Sequence, residues 1–536
     1  MFHAQKISYK QTDSFAQIII DYVEENEALK PFFSFETNIK GIQNAIQKKQ
    51  RQPVNRTALV SVLNKQYASI AKASEVQNNI DLLQSSNTFT VCTAHQPNLL
   101  TGQLYFIYKI LHAIRLAHHL NAQLTAYKFV PLYYMGSEDA DLAELNHFTV
   151  DGKKYEWNTD QKGAVGRMFV DTKLISLVDE LAQQIGVQPF GNELIQIVQQ
   201  AYTLGETIQS ATFDLVHALF GRMGLVVLIA DAPELKQQMI HVFEDDLFEE
   251  TPSKIVETSC NELSKLYKVQ AQPRAINLFY LKDNIRERIE RSGNNWFVLN
   301  TEISFNAEEL KSELYEHPER FSPNVILRGL FQETILPNIG FIGGGGELAY
   351  WLQLKGLFDY YKINFPVLLL RNSFLIVDEH SQKKWEKLHL SVSDLFSTEN
   401  ELINKIVKQS SSKISLKEEI EKAEHLFTGI SKHATDVDTT LSAHVAALKT
   451  RWLKNLQALE KKMLRAEKRK YLDQQKQIKS VKQQLFPKAG LQERSENFIS
   501  YYAKSGKRFI DVLYQHTLAI EQEFTILTCN TRSGMD

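Results

Sequence analysis

Residues 89–120 read FTVCTAHQPNLLTGQLYFIYKILHAIRLAHHL. The run at 89–93 predicts a buried strand; a polar loop follows to Gly102, and from about 104 to 120 apolar residues recur at helical spacing. Strand, polar loop and amphipathic helix, in that order, form the first half of a βαβ unit. The same pattern recurs outward along the chain. Residues 124–135 predict a second strand ending in Gly136-Ser137-Glu138-Asp139, 225–230 a third ending in Asp231, and 365–370 a fourth ending in Arg371. Strands that carry charge at their C-terminal ends, with helices between them, predict an open parallel α/β sheet. In such a sheet ligands bind in the crevice beyond those ends.

With 536 residues, the chain should hold two to four folding units. Apolar residues at 43% and charged residues at 23% exclude disorder and low-complexity fibres. No apolar run approaches the ~18 residues of a membrane helix. The first ten residues, MFHAQKISYK, lack the apolar stretch of a secretory signal. Cys92, Cys260 and Cys529 are widely spaced, which argues against a disulfide framework or a cysteine zinc site. A cytoplasmic location is the expectation.

The net charge of -2 hides a division. Residues 381–480 hold 20 Lys+Arg against 13 Asp+Glu, leaving 41 against 50 elsewhere. All 13 prolines lie outside 367–486, where Gly429 is the one glycine, so long helices are expected there. Leu416, Ile420, Ala423, Phe427 and Ile430 form one apolar seam; Leu441, Val445, Leu448, Trp452, Leu456, Leu459, Met463 and Ala466 form another. These spacings predict an antiparallel coiled-coil hairpin turning near 433–440. Its basic stretch KKMLRAEKRK (461–470) reads as a solvated face, because no aromatic residues interleave to stack on bases. No nucleic-acid or membrane partner is expected.

Four segments could carry chemistry. The loop Thr93-Ala94-His95-Gln96-Pro97-Asn98, running to Gly102, offers donors and a helix N-terminus to an anion, or is a turn capped by asparagine. Glu138-Asp139-Ala140-Asp141, followed by Glu144, Asn146 and His147, crowds carboxylates that need an amine, an arginine or Mg2+, or is a solvated helix start. The run Gly343-Gly344-Gly345-Gly346-Glu347 allows close backbone approach to a ligand or forms a linker, with Glu347, Tyr350 and Gln353 expected on one helix face. Phe321-Ser322-Pro323-Asn324 leads to Arg328, a carboxylate or phosphate clamp or a surface ion pair.

The combination resembles the BshC family of bacillithiol biosynthesis. The resemblance rests on 93–105 continuing into Phe106-Ile107-Tyr108-Lys109, on Glu138-Asp139, on Phe321-Ser322-Pro323-Asn324 with Arg328, and on the glycine run with Glu347, Tyr350 and Gln353. Leu485-Phe486-Pro487 and Gly490-Leu491-Gln492-Glu493-Arg494 with Asn497 extend it. The chain departs from the family pattern at Ala94-His95, at Ala140 where histidine is usual, and at Gly345 where proline is usual.

The resemblance implies a Rossmann-like parallel core over 1–376, with inserted connecting segments near 150–222 and 240–325. A helical antiparallel coiled-coil arm over 377–482 would mediate a homodimer, followed by a C-terminal helical segment over 483–536. It implies a ligase that joins cysteine to glucosaminyl-malate, completing bacillithiol. On that reading His95, Glu138, Asp139 and Asp141 are catalytic candidates. Thr93, Gln96, Asn98, Gly102, Asn146, His147, Asn324, Arg328, Gly343, Gly344, Gly346, Glu347, Tyr350, Gln353 and Arg371 would bind substrate. Gly490, Gln492, Arg494, Tyr501, Tyr502 and Lys507 would form a second nucleotide site. ATP or ADP and Mg2+ are candidate cofactors, and no tightly bound metal is expected. Two other readings stay open: a class I synthetase-like enzyme activating an amino acid for another amine, and a non-catalytic metabolite-binding coiled-coil dimer.

Overall fold

The computed structural model describes residues 2–70, 73–410 and 415–529. It divides into two compact units. The core unit holds 6–375 and 492–525; the arm unit holds 376–491 with residues at both chain ends.

The core unit is built on a parallel sheet. Strand β1 (Thr88–His95) leads into helix α1 (Tyr105–Gln123), then β2 (Lys128–Met135) and β3 (Val226–Ile229). Helix α2 (Val325–Ile335), β4 (Asn338–Gly343), helix α3 (Gly345–Trp351) and β5 (Val367–Leu370) follow. The strand order is β5-β4-β1-β2-β3, with every neighbouring pair parallel. β1 and β2 run in register from Thr88 opposite Lys128 to His95 opposite Met135, so they end level. The chain winds outward from β1 through β2 to β3, then returns to the other side of β1 with β4 and β5. The order therefore reverses between β1 and β4, where consecutive loops leave in opposite directions and open a crevice.

Burial explains the strand sequences. Ala113, Leu116, Ala117 and Leu120 of α1 pack on Phe89, Val91, Phe129, Ile339 and Ile342. Each large apolar side chain buried there contributes about 1.5–3 kcal/mol. Three boundaries differ from the sequence reading. β1 continues through His95, which places that residue on a strand end rather than in a loop. β2 starts at Lys128 because α1 continues to Gln123 and closes on Leu124, whose N–H donates to the Leu120 carbonyl. α3 ends at Trp351 with Leu352 as its cap, so Gln353 does not share the helix face of Glu347 and Tyr350.

Between β2 and β3 lie a small hairpin (His147–Val150 with Lys153–Glu156) and the helices Thr172–Ile185, Gly191–Ala201 and Ile208–Phe220. Between β3 and α2 an antiparallel sheet forms from Leu278–Lys282, Ile285–Ser292, Asn295–Val298, Ser304–Asn306 and Phe321–Pro323.

In the arm unit, α4 (Lys417–Val437) and α5 (Leu441–Lys468) form an antiparallel hairpin. The Leu416 N–H donates to Glu460 Oε1 at 3.1 Å, and the Phe427 and Trp452 rings lie 6.4 Å apart. The turn is tighter than the sequence suggests, with only 438–440 between the helices and the Asp438 carboxylate accepting the Thr440 N–H. Ala423, Phe427 and Val445 are buried, but Leu426, Ile430, Leu448, Trp452 and Leu459 are exposed, so the hairpin covers only part of its apolar seam. Among the described residues, no helix is long and apolar enough to cross a membrane. Cys92 and Cys260 are free and buried; the Cys529 side chain and residues 530–536 lie outside the described part.

Candidate functional site

A cavity of 720 Å³ opens at the strand ends of the core unit, at the reversal between β1 and β4. The end of β1 contributes His95 and Gln96, the end of β2 contributes Glu138 and Asp139, and the start of α3 contributes Gly344, Gly345 and Gly346. Asn324 and Arg328 enter from α2 and its cap, Arg371 follows β5, and Tyr105 and Lys109 project from α1.

The loop after β1 is held in a strained form. Leu100 sits at φ 47° and ψ 42°, and Thr101 has φ 68°. Gly102 is also at positive φ, and a Cβ there would lie 2.9 Å from Asn98 Cβ, so only glycine fits. Asn497 fastens the turn: its Nδ2 donates to the carbonyls of Leu100 (2.8 Å) and Gly102 (2.5 Å).

Charge on the wall is mixed, with basic residues in excess. Lys109, Arg274, Arg286, Arg328, Arg371 and Arg494 face Glu138, Asp139, Glu144 and Glu347. Several of these groups are engaged within the protein. Lys109, buried in α1, pairs with Glu347 and donates to the Ala94 carbonyl at 2.9 Å. Burial lowers the Lys109 pKa, against the pull of Glu347. Arg371 is fixed by Glu493 at 2.6 Å and by Ser373 Oγ at 3.1 Å. Asp139 accepts from Gln96 Nε2 at 3.0 Å and pairs with Arg286 at 3.4 Å. Arg328 donates to the Tyr350 hydroxyl at 2.7 Å and to Gln332 at 3.3 Å, with no carboxylate partner among the described residues. It is the guanidinium best placed to receive an anionic ligand.

His95 stands between Tyr105 and Phe106, with ring centroids 5.4 and 5.5 Å away, and its buried Nε2 has no partner among the described residues. Burial, together with Lys109, Arg371 and Arg328, holds its pKa well below the usual histidine value. The imidazole is therefore neutral at neutral pH.

Comparison with known proteins agrees with this layout. Residues 2–372 match the family model described as Bacillithiol biosynthesis BshC, N-terminal Rossmann-like domain. Residues 374–529 match the one described as Bacillithiol biosynthesis BshC, C-terminal coiled-coil domain. This chain belongs to the BshC family. A relative from Flavobacterium johnsoniae is 39% identical over 525 residues, covering 97% of this chain and 99% of its own. One from Cytophaga hutchinsonii is 38% identical, covering 96% and 97%, and one from Salinibacter ruber is 28% identical, covering 94% of each. All three carry the name "Putative cysteine ligase BshC".

Of the residues singled out in the sequence, the BshC cavity brings together His95, Gln96, Glu138, Asp139, Asn324, Arg328, Gly344, Gly346, Glu347, Tyr350, Arg371 and Arg494. Others sit outside its lining. Thr93 Oγ1 donates to the Ile342 carbonyl, tying β1 to β4. Asn98 is buried behind the loop it shares with Gly102. Asp141 caps the short helix Leu142–Leu145 by accepting the Glu144 N–H, which is the helix-start role. Asn146 Nδ2 donates to the Trp157 carbonyl, and its Oδ1 accepts from His147 Nδ1–H at 3.2 Å. Gly343 leaves room for Leu348, and Gln353 grips the backbone of Gln270 and Ala271, an indirect support for the wall.

Among the remaining candidates, Gln492 is buried, the Tyr501 hydroxyl donates to Glu496, and the Tyr502 hydroxyl donates to Glu193 at 3.0 Å. Lys507 lies 3.8 Å from the same Glu193, and Gly490 belongs to the arm unit. The sequence reading overlooked Lys109, Tyr134, Arg274, Arg286 and Lys236. Lys109 had a signal: it is a single cation in the apolar run YFIYKILHAI. Tyr134 is hidden within the apolar run of β2, Arg274 and Arg286 come from the segment between β3 and α2, and Lys236 lies behind the wall, so none of these had a local signal.

Proposed function

We propose that this BshC chain is a ligase that joins the carboxylate of cysteine to the amine of glucosaminyl-malate, the closing step of bacillithiol synthesis. The carrying observation is that Arg328, uncommitted to any carboxylate, and Glu138 line one cavity at the sheet's reversal. Both substrates bear carboxylate and ammonium groups, and the wall offers a receptor for each. Arg328 holds an anionic end. The Gly344–Gly346 backbone, without side chains, lets a ligand lie close to the start of α3. Asp139 stands beside it, held by Gln96 Nε2 and Arg286.

A free carboxylate is a poor electrophile, and ATP would supply the activating phosphoryl group. Among the described residues, Arg274, Arg328 and Arg494 are cavity cations without a carboxylate partner, a set that fits phosphates. Mg2+ would arrive with the nucleotide, since among the described residues no group of three or more His, Cys, Asp or Glu could hold a metal. The protein works as a homodimer, on this reading, with Leu448, Trp452 and Leu459 of the arm as the apolar contact.

The test is direct. Purified protein incubated with cysteine, glucosaminyl-malate and MgATP is followed by mass spectrometry. Cysteinyl-glucosaminyl-malate, formed in proportion to enzyme, supports the reading. Unchanged substrates across nucleotides and metals, with a folded protein, contradict it.

A further inference from the structure

Behind the cavity wall lies a chain of buried charges that the sequence did not announce. Asp231, just past the end of β3, accepts two hydrogen bonds from Arg167, from Nε at 2.7 Å and Nη2 at 2.8 Å. Lys236 Nζ lies 3.4 Å from Asp231, donates to the Glu319 carbonyl at 3.0 Å, and pairs with Glu138 Oε1. The Lys236 side chain is fully buried, Asp231 is 3% exposed, and Glu138 is 12% exposed where it meets the cavity. The four charges alternate and sum to zero, and the last of them is at the cavity wall.

The backbone reinforces this aim. Gly166 N–H donates to the Ser137 carbonyl at 2.9 Å and Val165 N–H to the Asp139 carbonyl at 2.8 Å. A Cβ on Gly166 would lie 2.4 Å from the Ser137 oxygen, so the approach requires glycine. The turn that carries Arg167 thus also clamps the acidic strand end.

We propose that Lys236, backed by Asp231 and Arg167, is a positioning residue that holds Glu138 ionised and turned into the cavity, where Glu138 receives the primary ammonium of the amine substrate. This rests on the ligase reading above and assigns the amine its place. In a cavity with excess positive charge, an ammonium needs a fixed carboxylate, and a buried carboxylate keeps its charge only beside a cation. Burial pushes the Glu138 pKa up; Lys236 is the main opposing influence, Asp231 adds to the rise, and Arg286 opposes it. Tyr134, Arg167 and Glu319 complete the polar surroundings.

The prediction is a pair of opposite shifts. Glucosaminyl-malate binding is measured by calorimetry from pH 5 to 9 on the full chain. Lys236→Met moves the acidic loss of affinity to higher pH by about one unit or more, a loss of about tenfold on the acidic limb. Asp231→Asn moves it to lower pH, because the neighbouring negative charge is gone. Glu138→Gln removes the acidic limb, and Lys236→Met in that background adds no further pH dependence. A role confined to folding would weaken binding evenly across pH. If both variants lose affinity by one factor at every pH, or if Lys236→Met keeps the wild-type profile, the inference is overturned while the ligase reading stands. If wild type does not bind glucosaminyl-malate at any pH, the substrate assignment falls and this inference falls with it.

Discussion

Asn497→Ala removes the side chain that fastens the loop after β1. Three hydrogen bonds disappear: those from Nδ2 to the Leu100 and Gly102 carbonyls, and the one Oδ1 accepts from the Ile499 N–H at 2.9 Å. At a net loss of about 1 kcal/mol per bond, the three together come to roughly 3 kcal/mol. The loop also stores strain at Leu100 and Thr101, both at positive φ, which its fastenings must hold. Two fastenings survive, the Leu100 N–H to the Tyr202 hydroxyl and the Leu104 N–H to the Glu496 carbonyl, so the loop loosens without the core unfolding. Hydrogen–deuterium exchange reads this opening locally. Peptides spanning 96–104 should exchange about 100-fold faster or more, the factor for roughly 3 kcal/mol, while β2 peptides stay unchanged. Exchange within threefold of wild type would refute the claim that Asn497 holds the loop.

Three further outcomes follow from the same geometry. Arg328→Met should raise the KM for an anionic substrate about 10- to 150-fold, the value of a charge-assisted contact of roughly 1.5–3 kcal/mol, with unfolding little changed; steady-state kinetics and a urea melt check both halves. Asp246 is buried and accepts from the Asn277 N–H at 2.6 Å and Nδ2 at 3.0 Å, and burial raises its pKa to about 7. Its folded value lies above its unfolded one, so the fold favours the protonated acid and stability falls as pH rises from about 4 through 7. Wild type should therefore lose about 3 kcal/mol more than Asp246→Asn between pH 5 and 8 in urea melts; parallel curves would contradict this. If the proposed homodimer forms through the arm, Trp452, 54% exposed there, carries much of its contact, and Trp452→Ser should raise the dimer dissociation constant at least tenfold in sedimentation equilibrium; an unchanged constant, or a wild-type monomer, excludes that face.

β1, β2 and β5 were legible because burial on both faces selects mostly apolar runs, whereas β4, reading NIGFIG with two glycines beside the glycine run, was not predicted as a strand. The antiparallel sheet was not legible: its strand Ile285–Ser292 reads IRERIERS, with five of eight residues charged and half exposed, without a clean alternation. Site residues next to a strand end, His95, Glu138 and Asp139, could be found because the fold itself selects those positions. Lys236 and Arg167 could not, since their meaning depends on Glu138 and Asp231 coming together across about a hundred residues of insertion. Gln353 misled for a related reason. Helical spacing extended the α3 face past Trp351, but the helix stops there and the side chain turns to Gln270 and Ala271.

The central claim is tested most directly in the source cell. The gene is deleted and the low-molecular-weight thiols and their precursors are quantified by mass spectrometry, with the intact gene restored in parallel. The account predicts that bacillithiol disappears, glucosaminyl-malate accumulates, and the restored gene reverses both while an Arg328→Met copy does so poorly. An unchanged bacillithiol level in the deletion strain would contradict it.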